Sequence, residues 1–251
     1  MPLTISTFLG TAISLILSFN LAQSYERWWE GRKIWGEIVN DSRALAFQLK
    51  RFTSSDDAQR YKEVVKLQIA WNYANVSMLR KTENYEESLK YLDKESQKSF
   101  LASKHKPLWI YNRIHERLKN FTTLNSYEAV QIDSTLTRLV GHMGKAERIK
   151  NTIFPIEYQL LLHFSIYLFL GFLSLSLANL GHHWEIFLLM LIAGPFFLLE
   201  STAKHLQNPF EGRPADVPIL SISRNIEINL LTLIEEEDIP QPLEAINFYI
   251  D

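Results

Sequence analysis

The chain has 251 residues, of which 47% are hydrophobic and 22% charged, and its formal net charge is −2. This balance offers no basic surface for nucleic acid, and the lack of cysteine excludes disulfides, thiol catalysis and cysteine-based metal sites. The charges are segregated: segments 3–21 and 160–199 carry very few, whereas 25–153 carries nearly all the lysine and arginine. This pattern predicts a membrane protein with a large soluble region between its spans.

The first apolar segment, Leu3 to Ala22, contains no charged residue and is about as long as one membrane-spanning helix. At about 100° per residue, four of its hydroxyl side chains fall within a narrow sector of one helical face: Thr7, Thr11, Ser14 and Ser18. Two interpretations stay open. The hydroxyls could pack against neighbouring helices and bond to their own backbone, or they could face water in a pore.

An aromatic and basic stretch follows directly: Tyr25-Glu26-Arg27-Trp28-Trp29-Glu30-Gly31-Arg32-Lys33-Ile34-Trp35-Gly36. Aromatic rings and snorkelling cations at the end of an apolar helix are typical of the headgroup zone of a membrane. The helical spacing of apolar positions continues beyond this stretch. The first helix is therefore predicted to run unbroken to about Leu49, well past the membrane.

The central region is predicted to be helical and soluble. After a break and N-cap at Ser54–Asp57, apolar spacing predicts a helix over Tyr61–Val76. Pro107 is expected to interrupt the polar stretch that follows, and further helices are predicted over Trp109–Leu118 and Ser126–Val140. No alternating apolar and polar run is long enough to predict a sheet.

Two more apolar segments, Gln159–Leu180 and Trp184–Leu206, predict a tight transmembrane hairpin around the turn Gly181-His182-His183. The turn lacks lysine and arginine and the central region has many, so the positive-inside rule places the central region in the cytoplasm. Four regions are thus predicted: a transmembrane helix at 1–24, a cytoplasmic helical region at 25–153, a transmembrane hairpin at 154–207, and a cytoplasmic arm and helix at 208–251.

The stretch at 25–36 resembles the signature of the bestrophin family of membrane ion channels, which is close to Ser-Tyr-x-Arg-Trp-Trp-Glu-x-Arg-x-x-Trp-Gly. The matching positions are Tyr25, Arg27, Trp28, Trp29, Glu30 and Arg32. Three later stretches resemble the bacterial branch of the family in the same order: Glu147–Pro155, Asn208-Pro209-Phe210 and Asp216–Glu227. The resemblance covers nearly the whole chain. The family's first membrane helix has no counterpart here, so a preceding segment is expected.

The resemblance implies an all-α membrane fold whose subunits form a homopentamer around one axial pore in the bacterial inner membrane. It implies a hydrophobic pore neck at Thr11, Leu15 and Phe19, with Ser14, Ser18 and Asn20 as candidate polar residues facing the pore. Asn20 stands where the family often has arginine or lysine. The absence of that cation beside the pore weakens the expected preference for anions, because a ring of charge helps to select the sign of the ion.

The predicted function is a passive ion channel that conducts chloride or other small monovalent anions, with no cofactor and no metal. A cation-conducting channel on the same fold, and a non-conducting membrane scaffold or a transporter, remain as alternatives. A transporter would interrupt helices in two matching halves, and only Gly194-Pro195 interrupts a span here. No enzyme activity is expected, since the chain has no Gly-rich phosphate loop and no nucleophile elbow.

Two groups of polar residues have weaker functional interpretations. His163 lies within a span, where a histidine usually bonds to a neighbouring helix, and a gating or proton-transfer role is the alternative. The acids Glu211 and Asp216, with Arg213 between them, are a poor calcium site, because calcium needs several converging carboxylate oxygens. The consecutive acids at 235–238 point to different sides of a helix end and predict a solvated surface.

Overall fold

A computed structural model describes residues 3–152, 154–178 and 181–245, and all regular structure within them is helical. The all-helical class is therefore confirmed for these residues. Met1, Ile153, Leu180 and Asp251, where predicted regions or spans begin or end, lie outside the described residues. The helices in chain order are α1 (Leu3–Phe52), α2 (Ala58–Arg80), α3 (Glu86–Leu89), α4 (Lys94–Ala102), α5 (Lys106–Leu118), α6 (Ser126–Asn151), α7 (Ile156–Leu177), α8 (His182–Leu206) and α9 (Ile219–Leu233).

Helix α1 is 50 residues long, which confirms the prediction of one unbroken helix that continues past the apolar segment. Gly10 of α1 faces the ring of Phe169 on α7. A Cβ at this position would lie 2.9 Å from the ring of Phe169, so only glycine admits the ring without a shift. At the other end, Thr53 Oγ1 donates to the carbonyl of Leu49 at 2.6 Å and satisfies one of the free carbonyls of the last turn.

The helices form two compact units. The first unit comprises the described parts of 1–30 and 151–209, and the second comprises the described parts of 31–150 and 210–251. Within the described ranges, three helices are long and apolar enough to cross a membrane, namely α1, α7 and α8. The two hairpin helices begin at Ile156 and His182, slightly before the predicted starts, because backbone hydrogen bonding extends beyond the apolar run.

The core of the first unit consists of buried side chains of α1 and α7: Ile13, Leu17, Leu162, Ile166, Phe169, Leu173 and Leu177. Helix α8 packs on this core through partly buried residues such as Ile192 and Phe196. Most of its other apolar side chains are exposed on the single chain, including Met190 and Leu198. Such an apolar exterior is what lipid or neighbouring helices cover in a membrane protein.

The second unit is built around α2, which is buried on most of its circumference and packs against α5 and α9. A helix enclosed in this way also buries polar side chains, which must then be hydrogen-bonded. Gln68 Nε2 donates to Ser42 Oγ at 3.0 Å. The buried carboxylate of Glu227 on α9 accepts from the hydroxyl of Tyr73 at 2.5 Å and from that of Tyr91.

The N-terminal end of α2 is held by Asp57, whose side chain is fully buried. Its carboxylate accepts from Thr123 Oγ1 at 2.7 Å, from the backbone N–H groups of Thr122 and Thr123, and from the Arg60 guanidinium. These donors, led by the Thr123 hydroxyl, lower the pKa of Asp57 to about 2. The predicted break at Ser54–Asp57 is thus confirmed and serves as a tie between α2 and the loop before α6.

Two predicted helices start or end elsewhere in the structure. Helix α5 begins at Lys106, before Trp109, because Pro107 lies in its first turn, where a missing backbone N–H is tolerated. His105 caps this turn by accepting from the N–H of Leu108 at 3.2 Å. Helix α6 continues to Asn151, well beyond Val140, so the glycines that follow Val140 do not end it.

Candidate functional site

One face of α1 is packed inside the first unit. Its members recur at helical spacing and are buried: Ser6, Gly10, Ile13, Leu17, Asn20 and Ser24. Apolar contacts with α7 hold the middle of this face, and the hydroxyls of Ser6 and Ser176 meet at 2.9 Å nearer its start. The packed face fixes which of the remaining side chains of α1 point away from the subunit.

The predicted neck residues lie on the face of α1 directly opposite. At about 100° per residue, the centre of the set Thr11, Leu15 and Phe19 is about 180° from the centre of the packed face. All three are exposed on the single chain, with Leu15 at 58% and Phe19 at 59%. These large apolar side chains lie outside the core of their own subunit. They are available to line a pore.

The hydroxyl stripe occupies a neighbouring part of the exposed surface, about 110° from the packed face. Thr7, Ser14 and Ser18 are exposed, as is Thr11, which both sets share. Thr11 Oγ1 donates to the carbonyl of Thr7 at 2.9 Å, and Ser14 Oγ donates to that of Gly10 at 2.7 Å. These hydroxyls are satisfied by their own helix, so they need neither water nor a neighbouring helix.

Asn20 requires a correction to the sequence-based interpretation. It does not share the exposed surface of Ser14 and Ser18, because its side chain is only 3% exposed and lies on the packed face. Its Oδ1 accepts from Gln207 Nε2 at 3.4 Å, and its carbonyl accepts from Ser24 Oγ at 2.8 Å. A side chain held inside the subunit in this way cannot face a pore.

The aromatic and basic stretch divides its side chains between two sides of α1. Tyr25 stacks on Trp28 at 5.9 Å, and Trp28 on Trp29 at 6.2 Å between ring centroids. Arg27 points elsewhere, and its Nη2 donates to the carbonyl of Thr152 at 2.5 Å. One turn of helix therefore presents three rings and also ties α1 to the segment before α7. Of the other two motif residues, Glu30 is partly buried and Arg32 is exposed.

The segment after α8 contains the second predicted motif. Helix α8 ends at Leu206, and the N–H of Asn208 donates to the carbonyl of His205 at 3.4 Å. Pro209 is buried, and Phe210 is fully buried in the second unit. Pro209 and Phe210 therefore serve packing, and Asn208 is partly buried beside them.

The loop beyond this motif is closed by Asp216. Its Oδ2 accepts from the backbone N–H of Glu211 at 2.8 Å and from that of Arg213 at 3.1 Å. Gly212 between them has a φ of 82°, a conformation that glycine adopts without strain. Burial raises the pKa of Asp216. The carboxylate is thus occupied by donors of its own loop.

Comparison with known proteins gives these features a context. The family described as bacterial/fungal bestrophin protein matches residues 1–232. The chain belongs to the bestrophin family. The voltage-dependent anion channel-forming protein YneE of Escherichia coli strain K12 is 31% identical over 237 residues, which cover 93% of this chain and 77% of that protein. The voltage-dependent anion channel-forming protein alr2987 of Nostoc sp. is 29% identical over 237 residues, which cover 91% of this chain and 76% of that protein.

A solved structure supports the same assignment. The bacterial bestrophin homolog from Klebsiella pneumoniae has 26% sequence identity and a TM-score of 0.89, covering 95% of this chain and 89% of that one. The bestrophin fold predicted from the stretch at 25–36 and the later motifs is thereby confirmed.

A polar cluster in this bestrophin's first unit contains two residues that sequence reasoning did not bring together, Gln159 and Gln207, and one that it expected to bond to a neighbouring helix, His163. Gln159 Nε2 donates to Gln207 Oε1 at 2.6 Å, and Gln207 in turn donates to Asn20 and Ser24. One turn further along α7, His163 Nδ1 lies 2.8 Å from the carboxylate of Glu200 on α8. The spacing of polar residues by three or four near the ends of α7 and α8 was the available signal, because such residues share a helical face.

Proposed function

We propose that this bestrophin is the subunit of an anion-conducting ion channel and that α1 lines its pore. The main support is the position of Thr11, Leu15 and Phe19 opposite the packed face of α1. Further support comes from relatives that are named anion channel-forming proteins and align over most of the chain. Chloride and other small monovalent anions are the proposed permeant ions.

The three neck residues would act as a hydrophobic constriction. Residues four apart on a helix lie roughly 6 Å apart along its axis, so each position forms its own ring when identical subunits surround the pore. An ion that enters such a ring sheds water where no protein dipole replaces it, which makes passage costly until the ring widens or wets. Thr11 contributes a smaller and more polar side chain than Leu15 and Phe19 at one end.

The channel is proposed to be a homopentamer. The three candidate spans that the structure describes are too few to enclose a pore alone, and the first unit leaves much apolar surface on α7 and α8 exposed. The number five rests on the family resemblance. Chemical cross-linking and mass measurement in detergent would test it, with five subunits expected and a monomer at all concentrations counting against it.

The proposed topology places regions 1–24 and 154–207 in the bacterial inner membrane and regions 25–153 and 208–251 in the cytoplasm. Basic residues follow the first span and precede the hairpin, whereas its turn has neither lysine nor arginine, as expected for a turn outside the cytoplasm. Labelling of single cysteines, introduced into this cysteine-free chain, would test each region. Thiol reagents that cannot cross the membrane should reach a cysteine at the turn but not one in α2.

The decisive experiment is reconstitution in liposomes across a potassium chloride gradient. A reversal potential near the chloride equilibrium potential is expected. A potential near that of potassium would instead identify the cation-conducting alternative, and no flux would favour the scaffold or transporter. Since Asn20 lies on the packed face, the lack of a cation at this position removes no charge from the exposed face of α1 in this chain.

A further inference from the structure

A cleft of about 320 Å³ opens in the first unit among residues of α1, α7 and α8. Its lining combines the apolar side chains Ile156, Leu160 and Leu162 with the polar side chains Asn20, Gln159, His163, Glu200, Lys204 and Gln207. These residues come from the first turns of α7, the last turns of α8 and the end of the apolar part of α1. In the proposed topology this level is the cytoplasmic headgroup zone of the bilayer.

Several polar groups in the cleft have no partner among the residues that the structure describes. Lys204 makes no hydrogen bond or ion pair there, although Glu200 stands at the favourable spacing for one. Glu200 uses Oε1 to meet His163 instead, and its Oε2 is left without a partner. Asn20 is 3% exposed and uses Oδ1 for Gln207, so its Nδ2 also has none. The cleft thus offers a cation, an amide donor and a carboxylate oxygen.

We propose that this cleft binds a phospholipid with a primary ammonium headgroup, phosphatidylethanolamine. The lipid phosphate meets Lys204 and the Nδ2 of Asn20, and the ammonium donates to Glu200. An acyl chain of the lipid contacts the apolar side chains of Ile156 and Leu160. This inference rests on the proposed membrane topology.

The charges of the cleft favour a zwitterionic headgroup over an anionic one. The cation of Lys204 and the anion of Glu200 lie one helical turn apart, so a net negative lipid is attracted by one and repelled by the other. Helix side chains tilt toward the N-terminus, which brings the long Lys204 side chain toward the level of Glu200. A headgroup that lies along the membrane surface then reaches both. A choline headgroup cannot donate to Glu200, since its ammonium carries no N–H.

Native mass spectrometry of the full-length protein, loaded with equal amounts of phosphatidylethanolamine, phosphatidylcholine and phosphatidylglycerol of matched acyl chains, tests the proposal. Phosphatidylethanolamine should be retained in preference to the other two. Glu200→Gln should reduce its preference over phosphatidylcholine roughly tenfold, as the loss of a charge-assisted hydrogen bond predicts. Lys204→Gln should weaken retention of all three lipids, because each carries a phosphate.

The matched control is Glu185→Gln, which makes the same change in the first turn of α8, where Glu185 accepts from Ser174 Oγ at 2.7 Å. It should leave the preference unchanged. Equal retention of the three lipids by the wild type, stronger retention of phosphatidylglycerol, or no effect of Glu200→Gln would overturn the proposal. So would absence of any retained lipid, which would indicate that a protein segment covers the cleft. Flux, measured separately, tests the channel function independently of this result.

Discussion

Two leucines, two residues apart in the chain and about 200° apart around α1, have opposite environments and allow the orientation of α1 to be tested. Leu15 is 58% exposed on the single chain, and Leu17 is 1% exposed in the core formed with α7. Truncation of a fully buried leucine to alanine costs about 2–5 kcal/mol of stability. Since less than half of Leu15 is covered, Leu15→Ala should cost the subunit about 1–2 kcal/mol at most on the same scale.

The two substitutions should rank in the opposite order in their effect on conduction, with Leu15→Ala changing it more than Leu17→Ala. If Leu15 and Phe19 form the constriction, Leu15→Ala and Phe19→Ala widen it, admit water and raise chloride flux severalfold in liposomes. Leu17→Ala removes nothing from the pore surface, so flux per folded channel should stay close to that of the wild type. Ser14→Ala and Ser18→Ala test which face of α1 is turned toward the pore axis, the neck residues or the hydroxyl stripe. If the neck faces the axis, these two substitutions should change flux less than the neck substitutions do.

The measurements are chloride efflux from liposomes, normalised to folded protein, and thermal unfolding in detergent. The reasoning is refuted if Leu17→Ala raises flux while Leu15→Ala does not. A larger effect of Ser14→Ala and Ser18→Ala than of the neck substitutions would show that the hydroxyl stripe is the pore surface. If neither set changes flux, α1 does not line the pore.

Three further predictions concern contacts that hold the helices. Glu227→Gln removes the charge that accepts from Tyr73, and denaturant titration should show a loss of about 2–4 kcal/mol; a loss under about 0.5 kcal/mol would contradict this. Gly10→Ala should lower the melting temperature, because the nearest ring atom is 2.9 Å from the new Cβ, whereas Gly171→Ala, with nothing within 4 Å, should not. Asp57→Asn should lower the melting temperature at neutral pH. This difference should shrink as pH falls from about 3.8 toward 2, since a lowered carboxyl pKa stabilises the fold only above that window; a pH-independent difference would contradict it.

Much of the fold could be predicted from the sequence because its signals are local. The apolar run from Leu3, its aromatic end and the helical spacing beyond it together predict the long α1 that the structure contains. The hairpin follows from two apolar segments and a short turn in the same way. Helix ends were less predictable: Pro107 looked like a break but lies in the first turn of α5, where proline fits the helix.

The orientation of side chains within the spans was harder to predict. In a membrane helix the faces toward lipid and toward protein are both apolar, so periodicity does not separate Leu15 from Leu17. The position of Asn20 depends on Gln207, 187 residues away in the chain, and no local pattern records such a contact. The family resemblance implies where the neck positions lie along the helix, but the packing of the opposite face determines whether they are exposed.

Two independent sets of contacts specify the same rotation of α1. Near its start, Gly10 admits the ring of Phe169, and apolar packing of Leu17 continues this contact. Near the end of the span, hydrogen bonds from Gln207 to Asn20 and Ser24 hold the same face. A polar side chain without a hydrogen-bond partner in an apolar environment has a high free-energy cost. These hydrogen bonds therefore oppose rotation of α1, even where lipid could replace the apolar contacts between helices. In the proposed channel this packed face orients the neck residues, so a rotation of α1 would require either that Gln207 move with it or that these hydrogen bonds break.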